Sequence, residues 1–192
     1  MFNQQQQQKG GDRPSMGDSF NALFIVSNLH ALCLTVFLRR DYGREGIGLM
    51  GLGAALLMLG YGSMMHCYPM WYFFLAWVVA VIAQRIKQFQ NWRSGITVHS
   101  RYGGYPWLAF KLFPHLKSEA NAHGVEAFLC LLVGGLLTYV SPPLGWFVMA
   151  GFASVMFSQA VRVEFDRKRL QAMKDAEIEQ RYLADRYKSG RF

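Results

Sequence analysis

The sequence predicts an all-α integral membrane protein with five transmembrane helices, and three observations support this prediction. Hydrophobic residues make up 52% of the 192-residue chain, and charged residues only 17%, against roughly 25% in an average soluble domain. The apolar residues gather in five runs, each near the roughly 20 residues that a helix needs to cross the hydrocarbon core. The basic residues, finally, gather in the segments between alternate runs.

The amino-terminal segment, residues 1–19, is polar and rich in glutamine and turn-forming residues, so we expect a disordered extracytoplasmic tail. The apolar run that follows stops at Arg39 and Arg40 without a small-residue cleavage signal. This indicates a retained anchor and not a removable signal peptide. The five spans are predicted at residues 20–38, 46–65, 68–84, 124–140 and 144–161.

Lysine and arginine are distributed very unequally between the two faces that five crossings create. One face receives the 39–45 connection, loop 85–123 and the segment 162–192, and these hold all but two of the 20 basic residues. The opposite face holds only Lys9 and Arg13. Because cytoplasmic loops carry the excess of basic residues, the sequence predicts an N-out/C-in protein of the bacterial cytoplasmic membrane.

The second predicted span is rich in glycine. Gly46, Gly53 and Gly60 recur at seven-residue intervals, and Gly51 with Ala55 forms a pair of small residues four positions apart. Small residues on one face allow a second helix to approach closely. We therefore expect a helix-packing face, central in the bundle or at a subunit contact, with a flexible gating helix as the alternative.

The first predicted span carries Asn28 and His30 near its middle. Polar side chains at this depth are costly unless they face the bundle and find partners. Interhelical hydrogen bonding is the expected role, and proton or ion handling is the alternative. A haem is not predicted, because no second histidine lies at a matching depth.

At the start of the fourth span, His123, Glu126 and Cys130 follow one another at i, i+3 and i+7, on one helix face. This spacing could direct metal ligands together. A carboxylate near a helix N-terminus is, however, favoured by the helix dipole alone. With Cys33 and Cys67 the chain has three scattered cysteines, which indicate neither a disulfide framework nor a zinc site, so no metal and no cofactor is predicted.

The loop 85–123 is the largest segment on the basic face, and we expect it to lie at the membrane surface. Between Pro106 and Pro114 it reads "WLAFKLF", too short to cross and too apolar for water. Basic side chains beside such a segment meet anionic lipid. The predicted surface for lipid headgroups or a protein partner consists of His99, Arg101, Trp107, Lys111, His115 and Lys117.

The carboxy-terminal segment, residues 162–192, is predicted to be a basic cytoplasmic helical tail that continues the fifth span to about Tyr187. Glu164 with Lys168 and Glu177 with Arg181 form i, i+4 pairs in the favourable order. Its apolar positions keep no heptad, which argues against a long coiled coil. Either a solvated helix or a docking helix for a cytoplasmic partner fits the pattern.

No catalytic motif of the GxSxG, HExxH, Walker or Rossmann type occurs in the sequence. We therefore expect a scaffold or accessory subunit of a larger membrane assembly, whose partners are the lipid bilayer and a second protein or further copies of itself. Nucleic acid is not expected, because topology accounts for the basic residues. The alternatives are an oligomeric channel or transporter subunit, and a membrane enzyme that acts on lipid at the cytoplasmic surface through His99, His115, His123 and Glu126.

Overall fold

The computed structural model describes residues 16–96, 99–100 and 102–188, and these residues are helical for most of their length. Five of their helices are long and apolar enough to cross a membrane. The all-α fold with five apolar helices is therefore confirmed, and the chain is a multi-pass membrane protein. In order, the helices are α1 (Met16–Leu38), α2 (Arg44–Met64), α3 (Tyr68–Arg93), the short α4 (Trp107–Leu112), α5 (Glu119–Thr138) and α6 (Pro142–Lys188).

The helices differ from the predicted spans mainly at their ends. Helix α1 begins at Met16, inside the predicted tail 1–19, and Asp18 in its first turn suits the positive end of the helix dipole; residues 1–15 lie outside the described part of the chain. Helix α5 begins before residue 124, because the Ser118 side chain caps it by accepting a hydrogen bond from the Asn121 backbone N–H at 3.3 Å.

Helices α3 and α6 continue far beyond their predicted apolar runs. Helix α3 reaches Arg93, although the predicted span ends at residue 84. Helix α6 runs from Pro142 to Lys188 and contains 47 residues, which gives a length of about 70 Å at 1.5 Å per residue. Hydropathy marks only the part of a helix that meets lipid or core, so it does not detect such polar extensions. The charge pairs of residues 162–192, in contrast, predict the extension of α6 to about Tyr187.

Helices α5 and α6 form a closely packed antiparallel hairpin. Gly134 lies against the backbone of Met149, and Gly145 lies against the backbone of Thr138. A β-carbon at either glycine would collide with the facing helix. Close approach of this kind is how helices associate in lipid, where the hydrophobic effect contributes little between helices.

Short connections bring pairs of helix ends together at one end of the bundle. The Tyr61 hydroxyl donates to the Pro143 carbonyl at 2.7 Å, and the Cys67 thiol lies 3.4 Å from the Ser141 hydroxyl. These contacts join the turn between α2 and α3 to the turn between α5 and α6. The two remaining connections, between α1 and α2 and between α3 and α5, contact each other.

The segment between α1 and α2 packs against the loop that follows α3. Arg40 and Tyr105 exchange two backbone hydrogen bonds, of 2.9 and 2.6 Å, and the Gly43 N–H donates to the Tyr102 carbonyl at 2.9 Å. Gly104 in this loop lies beside the ring of Tyr42 and has a positive φ of 86°, a backbone conformation that favours glycine. These contacts hold the residue after α1, Arg39, at a fixed place in the bundle.

Candidate functional site

A buried ion pair joins the end of α1 to α5. Arg39 follows α1 directly and is 4% exposed, and Glu126, two turns into α5, is fully buried. The Arg39 Nη2 donates to Glu126 Oε2 at 2.6 Å, and its Nε lies 2.9 Å from Oε2 and 3.1 Å from Oε1. Such bidentate, charge-assisted hydrogen bonds are among the strongest in proteins.

The remaining polar atoms of this pair also have partners. His123 Nδ1 lies 3.0 Å from Glu126 Oε2, and Arg39 Nη1 donates to the Gly103 carbonyl at 3.3 Å. When the amide oxygen of Gln159 faces Arg39, it accepts from Nη2 at 2.9 Å and from Nη1 at 3.0 Å. A buried ion pair tolerates removal from water only when its remaining lone pairs and protons are satisfied in this way.

Arg162 of α6 is a second cation next to this pair. Its Nη2 donates to the Asn28 side-chain oxygen at 2.9 Å, and its Nη1 packs against Gly103. Within the described part of the chain, no carboxylate forms an ion pair with Arg162, because Glu126 bonds to Arg39 and to His123 instead. We call Asn28, Arg39, His123, Glu126, Gln159 and Arg162 the polar cluster.

A cavity of about 40 Å³ opens between α1 and α6 beside the polar cluster. Two of its lining hydroxyls, those of Tyr42 and Ser158, are buried without a hydrogen-bond partner in the described residues. Tyr42 lies near Thr35 but does not reach hydrogen-bond geometry with it. Burial raises the pKa of Tyr42 to about 12, against the opposing attraction of Arg39, so the phenol stays protonated at neutral pH.

Both polar residues predicted inside the first span make interhelical contacts. Asn28 binds Arg162, as described above. His30 Nε2 lies 3.1 Å from the Phe147 carbonyl and Nδ1 lies 2.7 Å from the Ser154 hydroxyl. Since a carbonyl can only accept, Nε2 carries the proton and Nδ1 accepts from Ser154. Both ring nitrogens of His30 are thereby used within the bundle.

The small residues of α2 do not share one neighbour. Gly53 lies against the Leu29 side chain of α1, and Gly46 lies against the Tyr102 carbonyl of the loop. Gly51 faces only a side chain of its own helix, and Gly60 has open space around it. Ala55 is half-buried against the core. The backbone of α2 leaves helical geometry at residue 48, which separates the first of these glycines from the others.

The predicted headgroup or partner surface is largely exposed. His99, Lys111, His115 and Lys117 face solvent. Trp107 is half-buried, because the Arg40 guanidinium lies over its ring at 3.5 Å and the Lys111 ammonium at 4.9 Å. Arg101, the remaining residue predicted for this surface, lies outside the described residues.

His123, Glu126 and Cys130 share one face of α5 as the spacing predicts, but Arg39 and His123 together engage Glu126. Over residues 16–96, 99–100 and 102–188, no group of three or more potential ligands could hold a metal ion. His99 and His115, the other histidines of the enzyme hypothesis, lie exposed on the loop, whereas Glu126 is fully buried.

The sequence alone does not identify Arg39, Tyr42, Gln159 or Arg162 as functional residues. Arg39 and Arg162 each follow an apolar run and therefore look like ordinary ends of spans. One signal was present, because Ser154, Ser158 and Arg162 recur every four residues and place polar groups on one face of α6. The sequence does point to Glu126, through its helix-dipole position, the metal alternative and the lipid-enzyme alternative, but not as the partner of a buried arginine.

The fold and the polar cluster define a multi-pass helical membrane protein with a buried ion pair in its interior. In comparisons with known proteins, the chain matches no protein-family model, no curated protein and no solved structure. Chemically, the buried Arg39–Glu126 pair links the end of α1 to α5. The neighbouring cavity offers hydrogen-bond donors to a small ligand.

Proposed function

We propose that the protein is a scaffold or accessory subunit of a larger assembly in the bacterial cytoplasmic membrane, with its N-terminus outside and its C-terminus inside. The observation that supports this function best is the second half of α6. From residue 163 to residue 188 every side chain is exposed, yet the helix is unbroken. A helix that leaves the bundle in this way presents its whole surface to other molecules.

The exposed half of α6 has the composition of a docking helix. It is about 40 Å long at 1.5 Å per residue. Most helices in proteins owe their stability to tertiary packing of an apolar face, whereas several apolar side chains of this segment face solvent. Leu170, Met173, Ile178 and Leu183 are each more than half exposed. A groove of a cytoplasmic partner would bury them.

The loop after α3 supplies a second docking surface on the same proposed side of the membrane. Leu112 and Phe113 at the end of α4 are about half exposed, and Lys111, His115 and Lys117 surround them in the sequence and face solvent. This combination of exposed apolar and basic groups suits an anionic lipid surface. We propose that the loop lies on the cytoplasmic leaflet and that the α6 extension projects from it.

The orientation follows from the basic residues and is tested by reporter fusions. A cytoplasm-dependent reporter fused after Phe192 should be active, and the same reporter fused before the first residue should be inactive. Activity at both ends would contradict the proposed topology.

The scaffold function is tested by affinity purification of the full-length chain in mild detergent. We expect stoichiometric partner proteins with the wild type, and we expect them to be lost from a Leu170→Gln, Met173→Gln, Ile178→Gln variant. Gln171→Ala with Gln180→Ala in the same exposed segment is the matched control and should retain them. Recovery of the wild type as a lone monomer, or partners indifferent to the apolar positions, would reject this function.

A channel or transporter subunit is the second candidate, and the polar cavity is the observation that favours it. Asn28 and Arg162 line this cavity between two apolar helices, where polar groups commonly mark a pathway for solutes. The test is ion flux in proteoliposomes. Flux that disappears in Asn28→Ala and in His30→Ala would support transport, whereas flux equal to that of empty liposomes would exclude it.

A further inference from the structure

One arginine that lines the cavity between α1 and α6 has no ion-pair partner among the described residues. Glu126 neutralises Arg39 through three hydrogen bonds, so that pair contributes no net charge. Arg162, which is partly exposed, donates to the neutral amide of Asn28. Asp166, one turn later in α6, attracts Arg162 but is exposed and forms no ion pair with it. An anion beside Arg162 would therefore meet a positive charge that the protein compensates only weakly.

The same cavity contains two buried hydroxyl groups with no acceptor. Tyr42 is 6% exposed and Ser158 is 2% exposed, and the hydroxyls of both lack a partner in the described residues. A buried donor that is left unsatisfied is unfavourable, and native structures contain few of them. Because a hydroxyl donates strongly to an anion, an anion beside Arg162 would satisfy both groups.

The size of the cavity favours a small ligand. Its volume of about 40 Å³ has room for a few water-sized species. A halide ion fits into this space whole, whereas a lipid phosphate or a carboxylate-bearing metabolite could enter it only in part. We propose that this cavity binds one halide-sized monovalent anion, held by Arg162, Tyr42 and Ser158. This site does not depend on the scaffold function, and it lies in the same cavity that favours the channel or transporter alternative.

Chloride binding to the full-length protein in non-ionic detergent tests this site. We expect saturable broadening of the ³⁵Cl magnetic resonance line, reversed by bromide, and a higher Tm in sodium chloride than in sodium gluconate of equal ionic strength. Arg162→Gln should abolish both effects. Arg167→Gln, at an exposed arginine of the same helix, is the matched control and should retain both, because the two variants lower the net charge equally.

Two milder variants keep every charge of the site. Tyr42→Phe and Ser158→Ala each remove one donor, and each should weaken chloride binding about tenfold, the effect of one hydrogen bond to a charged group. If Arg162→Gln fails to fold, these two variants still test whether the cavity binds chloride. Equal Tm values in chloride and gluconate, with line widths that no variant changes, would mean that the cavity holds water only and would overturn the proposal. Displacement of chloride by an equal concentration of phosphate would overturn the proposed size limit.

Discussion

Two ion pairs in this protein have the same nitrogen–oxygen distance but entirely different surroundings. Arg39 and Glu126 lie 2.6 Å apart at 4% and 0% exposure, and Arg181 and Glu177 lie 2.6 Å apart at 78% and 61% exposure. Arg39 and Glu126 are 87 positions apart in the chain, so the first pair joins the end of α1 to α5. The second pair joins neighbouring turns of α6. Distance alone therefore does not determine how much an ion pair stabilises a fold.

Water explains the difference between the two pairs. Around Arg181 and Glu177 it screens the attraction and offers each group an alternative partner, so exposed pairs typically contribute 0 to about 1 kcal/mol. Around Arg39 and Glu126 water is excluded, so breaking the pair by removing one partner leaves a buried charge unpaired. The following substitutions test this explanation, in order of decreasing predicted loss of stability.

Glu126→Gln should have the largest effect on stability. It removes the charge that neutralises Arg39, and we expect the free energy of unfolding to fall by about 3–5 kcal/mol. Unfolding of the detergent-solubilised protein by increasing mole fractions of sodium dodecyl sulfate measures this change. A loss below about 1 kcal/mol would place the buried pair in the same energetic class as exposed pairs.

A double substitution separates the value of the pair from the penalty of breaking it. Arg39→Met with Glu126→Leu replaces both charges by apolar side chains of similar size, and we expect most of the stability lost in Glu126→Gln to return. The same unfolding titration measures it. If the double variant is as unstable as the single one, the pair itself contributes net stabilisation.

His123→Gln should have an intermediate effect. His123 contributes the 3.0 Å contact to Glu126, and Arg39 retains its own three hydrogen bonds to that carboxylate. We expect a loss of about 1 kcal/mol, the typical value of one hydrogen bond. The unfolding titration, with His66→Gln as a control at a histidine far from the cluster in the sequence, measures this loss.

Lys87→Met tests an ion pair of intermediate exposure. Lys87 lies 2.9 Å from Asp41, at 40% and 33% exposure. Burial alone would raise the pKa of Asp41, but hydrogen bonds to Lys87 and Asn91 and the charge of Lys87 lower it overall. The ionised form is therefore favoured in the folded state, so the stabilisation is present above the ordinary aspartate pKa of about 3.9 and is lost as the pH falls through the lower folded value.

Because solvent screens this pair, we expect Lys87→Met to lose only about 0.5 kcal/mol at pH 7. The difference from the wild type should shrink as the pH falls below about 4. Thermal unfolding of both proteins between pH 3 and pH 7 measures it. A difference that stays constant over this range would show that Lys87 acts through packing and not through the charge of Asp41.

Arg181→Gln should have the smallest effect. The pair with Glu177 lies on the exposed part of α6, and an i, i+4 pair of this kind contributes about 0.3–0.5 kcal/mol to its own helix. The bundle should unfold as in the wild type, while amide hydrogen exchange in residues 170–188 should become slightly faster. High salt should remove the difference between the two proteins.

The sequence predicts the helices of this fold better than it predicts the polar cluster. The apolar runs identify five helices because hydropathy is a local property, whereas the start of α5 depends on the Ser118 cap and the end of α3 lies beyond the apolar run. Arg39 is ambiguous in the sequence, since an arginine after an apolar run can reach the headgroups or turn inward. Only the three-dimensional position of Glu126 decides between the two.

The separation of Arg39 and Glu126 along the chain has a consequence for biosynthesis. At about 5–20 residues per second, a ribosome adds the 87 positions between them in roughly 4–17 s. Throughout that interval the guanidinium of the nascent first hairpin has no carboxylate to meet and must stay hydrated near the lipid headgroups. The bundle can therefore close around this arginine only after Glu126 of α5 has been synthesised.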